Sequence, residues 1–438
     1  MLTRRDFVRY GILAGSGSVA ALLAGCGGQR SMTPPVRDDG QQVRSLVARS
    51  ATDPTLAAGA AGVVRAFTAD LYRRLARADG NLVCSPYSVA VALGMTRTGA
   101  RGRTAAEMDR VLHSNDAVRL DAALGAVEAV LEQRSGTVRR TDGSKAKVEL
   151  HVANSLWGQR GYAWQSSFLE TLARYYGAGL RLVDYGDPEA ARSRINAWTS
   201  TQTQRRIDNL IPEGVLDALT RLVLVNALYL KAPWERPFEV SRTANGPFHR
   251  TNGSPVAVPM MRSEIHEARY AGGAGWQAAE LRYAGNELAM TVILPDRGTL
   301  QALQDDLDGD QLALILRAPQ PVGVLDLQIP KWTFRTSASL KETLIALGMP
   351  SAFDDRTADF SGMTGNRELS ISAVEHQAFI AVDEAGTEAA AATAVSATLT
   401  SAGPEPVAMV VDRPFLFVIH DIPTGTPLFL GRVADPSA

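Results

Sequence analysis

Glu384-Ala385-Gly386-Thr387-Glu388-Ala389-Ala390-Ala391-Ala392-Thr393-Ala394 is the stretch on which the fold turns. Its side chains are mostly very small, and beyond it lies the polar segment Ser396 to Pro406, ending in Gly403-Pro404-Glu405-Pro406. Alanine is the best helix former, so the plain reading is an alanine-rich helix followed by a linker. Its context opposes that reading. Val410 to Ile419 and Leu428 to Val433 follow as strands joined by a turn at Pro423-Thr424-Gly425.

Upstream, Val64, Phe67, Leu71 and Leu75 recur at helical spacing, and Gly80-Asn81 ends that helix. Val89 to Met95 predicts a buried helix, with Pro86 in its first turn and Ser85 as cap. Thr104-Ala105-Ala106-Glu107 has the form of a capping box opening a helix that runs through Leu112. Val148 to Leu156 alternates like a half-buried strand, and Leu222 to Leu230 is an apolar run suited to a strand covered on both faces. Leu281 to Leu294 predicts a hairpin turning at Gly285-Asn286, and Leu325 to Phe334 a strand followed by a helix over Leu340 to Leu347. Helices dominate the first third and strands the rest, without a fixed-period repeat.

The N-terminus has the pattern of an address. Arg4-Arg5 precedes an apolar run from Tyr10 to Leu23 that is too short and glycine-rich for a good membrane span. Thr3-Arg4-Arg5-Asp6-Phe7 resembles a twin-arginine export motif, and Leu23-Ala24-Gly25-Cys26 resembles a bacterial lipobox. Residues 1–25 are thus expected to be a signal peptide and Cys26 a lipidation site. Residues 26–55 are expected to be a flexible tether, and the folded domain to span 56–438. The expected location is extracytoplasmic, at the periplasmic or outer surface of the envelope, with the membrane a partner through the anchor. The second cysteine, Cys84, lies in an apolar context that predicts a buried thiol. With 45 basic against 46 acidic residues and no long run of one sign, nothing points to a nucleic-acid partner.

Glu-x-Gly-Thr-Glu-Ala-Ala-Ala-Ala-Thr resembles the hinge of inhibitory serpins, and Asp412-Arg413-Pro414-Phe415-Leu416-Phe417 resembles the segment after their reactive loop. Asn81 to Ser88, Gly99 to Thr104, Leu224 to Tyr229, Trp234 to Phe238, Gln328 to Lys331 and Phe429 to Val433 match that family in order. The resemblance implies one monomeric α+β domain with three β-sheets, about nine helices and an exposed reactive loop over about residues 384–411. It also implies that the hinge is Glu384, Gly386, Thr387, Glu388, Ala389, Ala390, Ala391, Ala392 and Thr393. Ser85, Ser88, Asn226 and His376 match the family's buried polar cluster under the opening sheet. Lys331 and Glu384 match a clasp near Trp234.

Serpin loop insertion is a known general case of strand addition and stored strain. An inserted strand sends alternate side chains into the core. Thr387, Ala389, Ala391 and Thr393 form one small, uncharged set, and Glu388 falls in the other, where a charge is expected to stay solvated. By the family's spacing the cut falls at Thr400-Ser401, with Leu399-Thr400 as the alternative. No Lys or Arg lies between Glu384 and Arg413, so a trypsin-like target is disfavoured. A serine protease of elastase-, chymotrypsin- or subtilisin-like specificity is the expected partner. A non-inhibitory serpin acting as a binding or carrier protein is the alternative.

An enzyme, such as a cell-envelope hydrolase, finds less support. The six histidines form no His-Glu-x-x-His site, and neither Cys-x-x-Cys nor a Gly-x-Ser-x-Gly elbow occurs. Ser144-Lys145-Ala146-Lys147 fits a Ser-x-x-Lys pattern but lacks its companion motifs. No metal or cofactor is expected.

Overall fold

The computed structural model describes residues 36–38, 41–51, 53–388 and 405–438. The expected signal peptide, Cys26, Ala389 to Thr393, Leu399, Thr400 and Ser401 lie outside the described residues.

A nine-stranded central sheet contains β1 (Val36–Asp38), β2 (Gln42–Ser45), β4 (Gly136–Arg139), β5 (Lys145–Gln159) and β6 (Leu180–Val183). Its other members are β7 (Leu222–Pro233), β15 (Trp332–Ser339), β16 (Ala373–Val382) and β17 (Gly386–Thr387). The order is β1-β2-β6-β5-β7-β17-β16-β15, with β4 paired to β5. A seven-stranded sheet holds β3 (Leu82–Cys84), β10 (Arg269–Gly273), β11 (Trp276–Arg282), β12 (Leu288–Pro295), β13 (Gln320–Pro321), β19 (Phe415–Asp421) and β20 (Thr426–Val433). The third sheet is β18 (Val407–Val410), β14 (Val324–Pro330), β9 (Pro255–His266) and β8 (Ala244–His249), in that order.

The helices among the described residues are α1 (Pro54–Leu75), α2 (Pro86–Arg97), α3 (Gly102–Val111), α4 (Ala117–Glu132) and α5 (Ser166–Tyr176). They continue with α6 (Pro188–Gln202), α7 (Leu300–Asp306), α8 (Gly309–Arg317), α9 (Lys341–Leu347) and α10 (Ser361–Thr364).

The central sheet is covered on both faces. Trp332 of β15 meets Phe415 and Phe417 of β19 in the core towards the seven-stranded sheet, with ring centroids 5.3 and 5.8 Å apart. On the opposite face Val223, Val225 and Ala373 pack with Ile195 of α6. Burial from both sides explains why Leu222 to Leu230 is apolar without alternation. Helix α2 lies in the core: Ser85 accepts a hydrogen bond from the Ser88 amide, Pro86 opens the first turn, and Pro86 through Thr96 are all buried.

Four expectations about local structure need correction. The chain joins the sheet well before residue 56: β2 pairs with β6, and Asp53 caps α1 by accepting from the Thr55 amide. Polar composition hid the fact that this segment adds an edge strand. The run from Leu325 to Phe334 is two strands in different sheets, since Pro330 pairs with Met260 while Trp332 pairs with Val382. Val410 to Ile419 likewise divides around Asp412-Arg413-Pro414 into β18 and β19. There is no capping box at Thr104: α3 starts at Gly102, Thr104 Oγ1 accepts from the Asp359 amide, and Glu107 binds Ser351 instead. Tertiary partners took both side chains.

Two glycines in helices should respond oppositely to a methyl group. A Cβ on Gly125 of α4 would lie 2.3 Å from the Tyr175 carbonyl oxygen of α5, whereas one on Gly59 of α1 meets nothing within 4 Å. Gly125→Ala should lower the thermal midpoint, since overpacking costs about 1–3 kcal/mol, and Gly59→Ala should raise it through a helix-propensity gain of about 1 kcal/mol. Calorimetry of the two variants checks both signs; a Gly125→Ala chain as stable as the parent would contradict the close α4–α5 packing.

Candidate functional site

The site is a seam in the middle of the central sheet. β5 and β7 pair antiparallel from Glu149↔Lys231 to Gly158↔Leu222, and β15 and β16 pair antiparallel over the full length of β15. Between these two blocks β7 and β16 run parallel, from Ala373↔Val223 to Ala378↔Leu228. Parallel pairing is slightly weaker per residue, so the join between the two antiparallel blocks is the weaker pairing. Beyond Ala378 the strands separate and β17 stands between them, with Gly386 opposite Pro233, and Thr387 between Ala232 and Val382.

Gly386 is needed where β17 enters. Its φ is +151°, and a Cβ there would lie 2.3 Å from the Ala232 carbonyl oxygen. Thr387 is buried, its Oγ1 2.7 Å from the Tyr283 hydroxyl. Tyr283 stacks on Trp234 with centroids 4.6 Å apart, and Trp234 Nε1 donates to the Asp383 carbonyl at 3.0 Å. The backbone amides of Trp234 and Phe238 donate to Ala385 and Glu384, each at 2.9 Å. Lys331 Nζ lies 2.7 Å from Glu384 Oε2, and Thr243 donates to Glu384 Oε1 at 2.8 Å. Burial works against the Glu384 carboxylate, but hydrogen bonds from Lys331, its own backbone and Thr243 hold its pKa below the usual value.

Below β17 the seam is bridged by a buried polar chain. The Ser85 amide donates to His376 Nε2 at 3.0 Å, which makes that nitrogen the acceptor. The ring proton therefore sits on Nδ1 and is donated to Asn226 Oδ1 at 2.6 Å, across the β7–β16 pair. Ser88 Oγ donates to Asn154 Oδ1 at 2.5 Å, and Asn154 stands opposite Asn226 on β5. Ser85, Ser88, Asn226 and His376 thus meet in one place. Asn154 was missed, although it falls in the inward row of Val148, Leu150 and Val152, where a lone polar residue is a signal.

The model of the family described as "Serpin (serine protease inhibitor)" matches residues 63–436. The chain belongs to the serpin family. A serpin-like protein of Thermococcus kodakarensis is 39% identical over 378 residues, covering 85% of each chain. Human leukocyte elastase inhibitor is 34% identical, covering 84% of this chain and 97% of its own. Among solved structures, human thyroxine-binding globulin in complex with thyroxine superposes with a TM-score of 0.76 at 27% identity, covering 87% of this chain and 99% of that one.

In this serpin Glu388 departs from expectation. Its side chain is only 3% exposed, with the carboxylate 3.2 Å from Arg206 Nε, and burial pushes its pKa up. The chain after α6 reaches across the sheet and covers the face where the charge was expected to stay wet. Cys84 is buried on β3 with its thiol pKa pushed up to about 12 by burial, an unreactive position. Ser144 sits in an exposed turn closed by Asp142, bonded to Arg140 rather than to a base.

Burial drives the His376 pKa down to about 4, against an opposing hydrogen bond with Asn226. A base with a depressed folded pKa stabilises the fold fully above its unfolded value of about 6.5, and that contribution is lost as pH falls towards 4. Nitrogen-detected NMR should therefore show His376 as the neutral Nδ1–H tautomer at pH 7 and still at pH 5. A midpoint near 6.5 would contradict the buried bridge.

Proposed function

We propose that this serpin inhibits serine proteases by offering the loop between Glu384 and Val411 as bait and inserting it along the β7–β16 seam once it is cut. The observation that carries this reading is β17 itself: two hinge residues already occupy the seam in strand register. Extending that register by single steps takes Ala389 opposite Leu230, Ala391 between Leu228 and Ala378, and Thr393 between Asn226 and His376. The inserted strand would separate the pair Asn226↔His376 and bring a hydroxyl to replace the bond that is broken. Every residue aimed at the core on this path is small and uncharged, as entry into a packed sheet requires.

The energy is sufficient. Each backbone hydrogen bond contributes about 1 kcal/mol net, so about ten inserted residues release on the order of 10 kcal/mol. The protease serine attacks the carbonyl of Thr400, or of Leu399, and the peptide bond to the next residue breaks. Its nitrogen leaves as the amine of the C-terminal fragment. The N-terminal part stays on the serine as an acyl-enzyme, which insertion drags away before water releases it. The absence of Lys and Arg from the loop favours an elastase-, chymotrypsin- or subtilisin-like target, in keeping with the leukocyte elastase inhibitors among its relatives. The lipobox-like Leu23 to Cys26 supports export and anchoring at the cell envelope, as in a bacterial lipoprotein-type serpin. A carrier role, as the likeness to thyroxine-binding globulin allows, would not call for so uniformly small a hinge.

Incubation with elastase- and subtilisin-like proteases should give an SDS-stable complex and a released C-terminal peptide starting at Ser401 by mass spectrometry. Thr387→Arg should turn the chain into a substrate, cutting trapping by roughly tenfold or more because burying an unpaired charge costs several kcal/mol. Simple cleavage of the parent chain without a trapped enzyme would overturn the inhibitory reading.

A further inference from the structure

Among the described residues the docked hinge is β17, and the residue after it, Glu388, meets the segment that follows α6. At Glu388 the backbone has φ +51°, a left-handed conformation outside the strand region. Its amide still donates to the Ala381 carbonyl at 2.9 Å, so the turn is anchored to β16. Its carboxylate is enclosed on the α6 side of the sheet. Arg206 lies 3.2 Å away, and Tyr229 and Lys231 of β7 also bear on the buried group.

Arg206 is itself held with care. The two residues before it, Gln204 and Arg205, both have positive φ, at 52° and 61°. Consecutive non-glycine residues in that region are strained, and such strain persists only where the surroundings enforce it. The Arg205 amide donates to Ser200 and the Arg206 amide to Thr203, and Arg335 of β15 donates to the Arg206 carbonyl at 2.6 Å. The Arg206 guanidinium carbon lies 5.8 Å from the centre of the Phe379 ring, with Arg335 5.6 Å from the same ring. The backbone turn, the carbonyl clamp and the aromatic ring all aim one guanidinium at the carboxylate that leaves the seam.

We propose that Arg206 is a positioning residue for the hinge: by pairing with Glu388 over Phe379 it keeps Gly386 and Thr387 docked between β7 and β16, and so fixes how much loop is presented to a protease. The docking claim stands on geometry alone; its consequence for protease capture rests on the inhibitory reading above. Without Arg206 the enclosed carboxylate keeps only Lys231 as a compensating cation, beside the Tyr229 hydroxyl, and leaving the seam becomes the easier course. A neutral side chain at 388 needs no such partner.

Hydrogen exchange on the full chain at neutral pH tests this. The amides of Trp234 and Glu388, which bond to or from the docked hinge, should exchange roughly tenfold faster in Arg206→Ala than in the parent. Arg206→Lys should keep most of the protection, and Glu388→Gln in the Arg206→Ala background should restore it. The amides of Ile207 and Ile211, bonded to Thr203 and Asn196, should stay protected and so show that the segment itself remains folded. Unchanged exchange at Trp234 and Glu388, or no rescue by Glu388→Gln, would overturn the docking role. The rate of protease-complex formation should change by roughly threefold or more in Arg206→Ala and return in the double variant; faster exchange with an unchanged rate would overturn the link to loop reach. A parent chain that forms no complex at all would count against the inhibitory reading and leave the exchange result to decide the docking claim.

Discussion

The β7–β16 pair has to satisfy two opposed demands, and the chemistry along it reflects both. It must close a sheet whose two faces are buried, so every polar group within it needs a partner. For the insertion proposed above it must also open, which close-packed aliphatic side chains alone resist because they lose contacts before gaining new ones. A short chain of hydrogen bonds serves both, pairing the two His376 ring nitrogens across the seam. Ser85, His376 and Asn226 bridge the seam through a neutral imidazole, and under the proposed insertion each bond would be exchanged for one to the arriving strand. Burial keeps the imidazole uncharged, so no ion has to be separated when the strands move.

The entry to the seam has a different character. There the hinge is held by backbone bonds to the end of β7 and the residues just after it, by the Thr387–Tyr283 contact and by ion pairs on both sides. Glu384 is favoured as an anion by Lys331, whereas Glu388 is more deeply enclosed and burial outweighs its cationic neighbours. The two carboxylates thus mark the two ends of the docked segment, one stabilised as a charge and the other kept at a cost. On the proposed inhibitory reading such a segment is poised, because β17 already pairs with both strands and further insertion would require Glu388 to leave its left-handed conformation.

Much of this could be read from residues alone, for identifiable reasons. Helix α2, the β11–β12 hairpin and β7 follow from local patterns that agree with their burial. The ordered motifs from Asn81 to Val433 carried the family, and with it the polar cluster and the clasp. What stayed hidden depends on contacts distant in the chain. Pro330 and Trp332 are two residues apart yet serve different sheets, which no periodicity reports. The edge strand at Gln42 is made by its partner β6 rather than by its own composition. Glu388 was expected to be solvated because the reach of Arg206 across the sheet is a tertiary fact.

Insertion along the seam has a direct thermodynamic signature. Cutting the loop without trapping an enzyme, and then comparing thermal unfolding of intact and cleaved chains, isolates the strand-addition step from every property of the protease. A new central strand worth on the order of 10 kcal/mol should raise the midpoint of the cleaved form by about 10 °C or more. A cleaved chain that melts at or below the temperature of the intact one would contradict insertion into the central sheet.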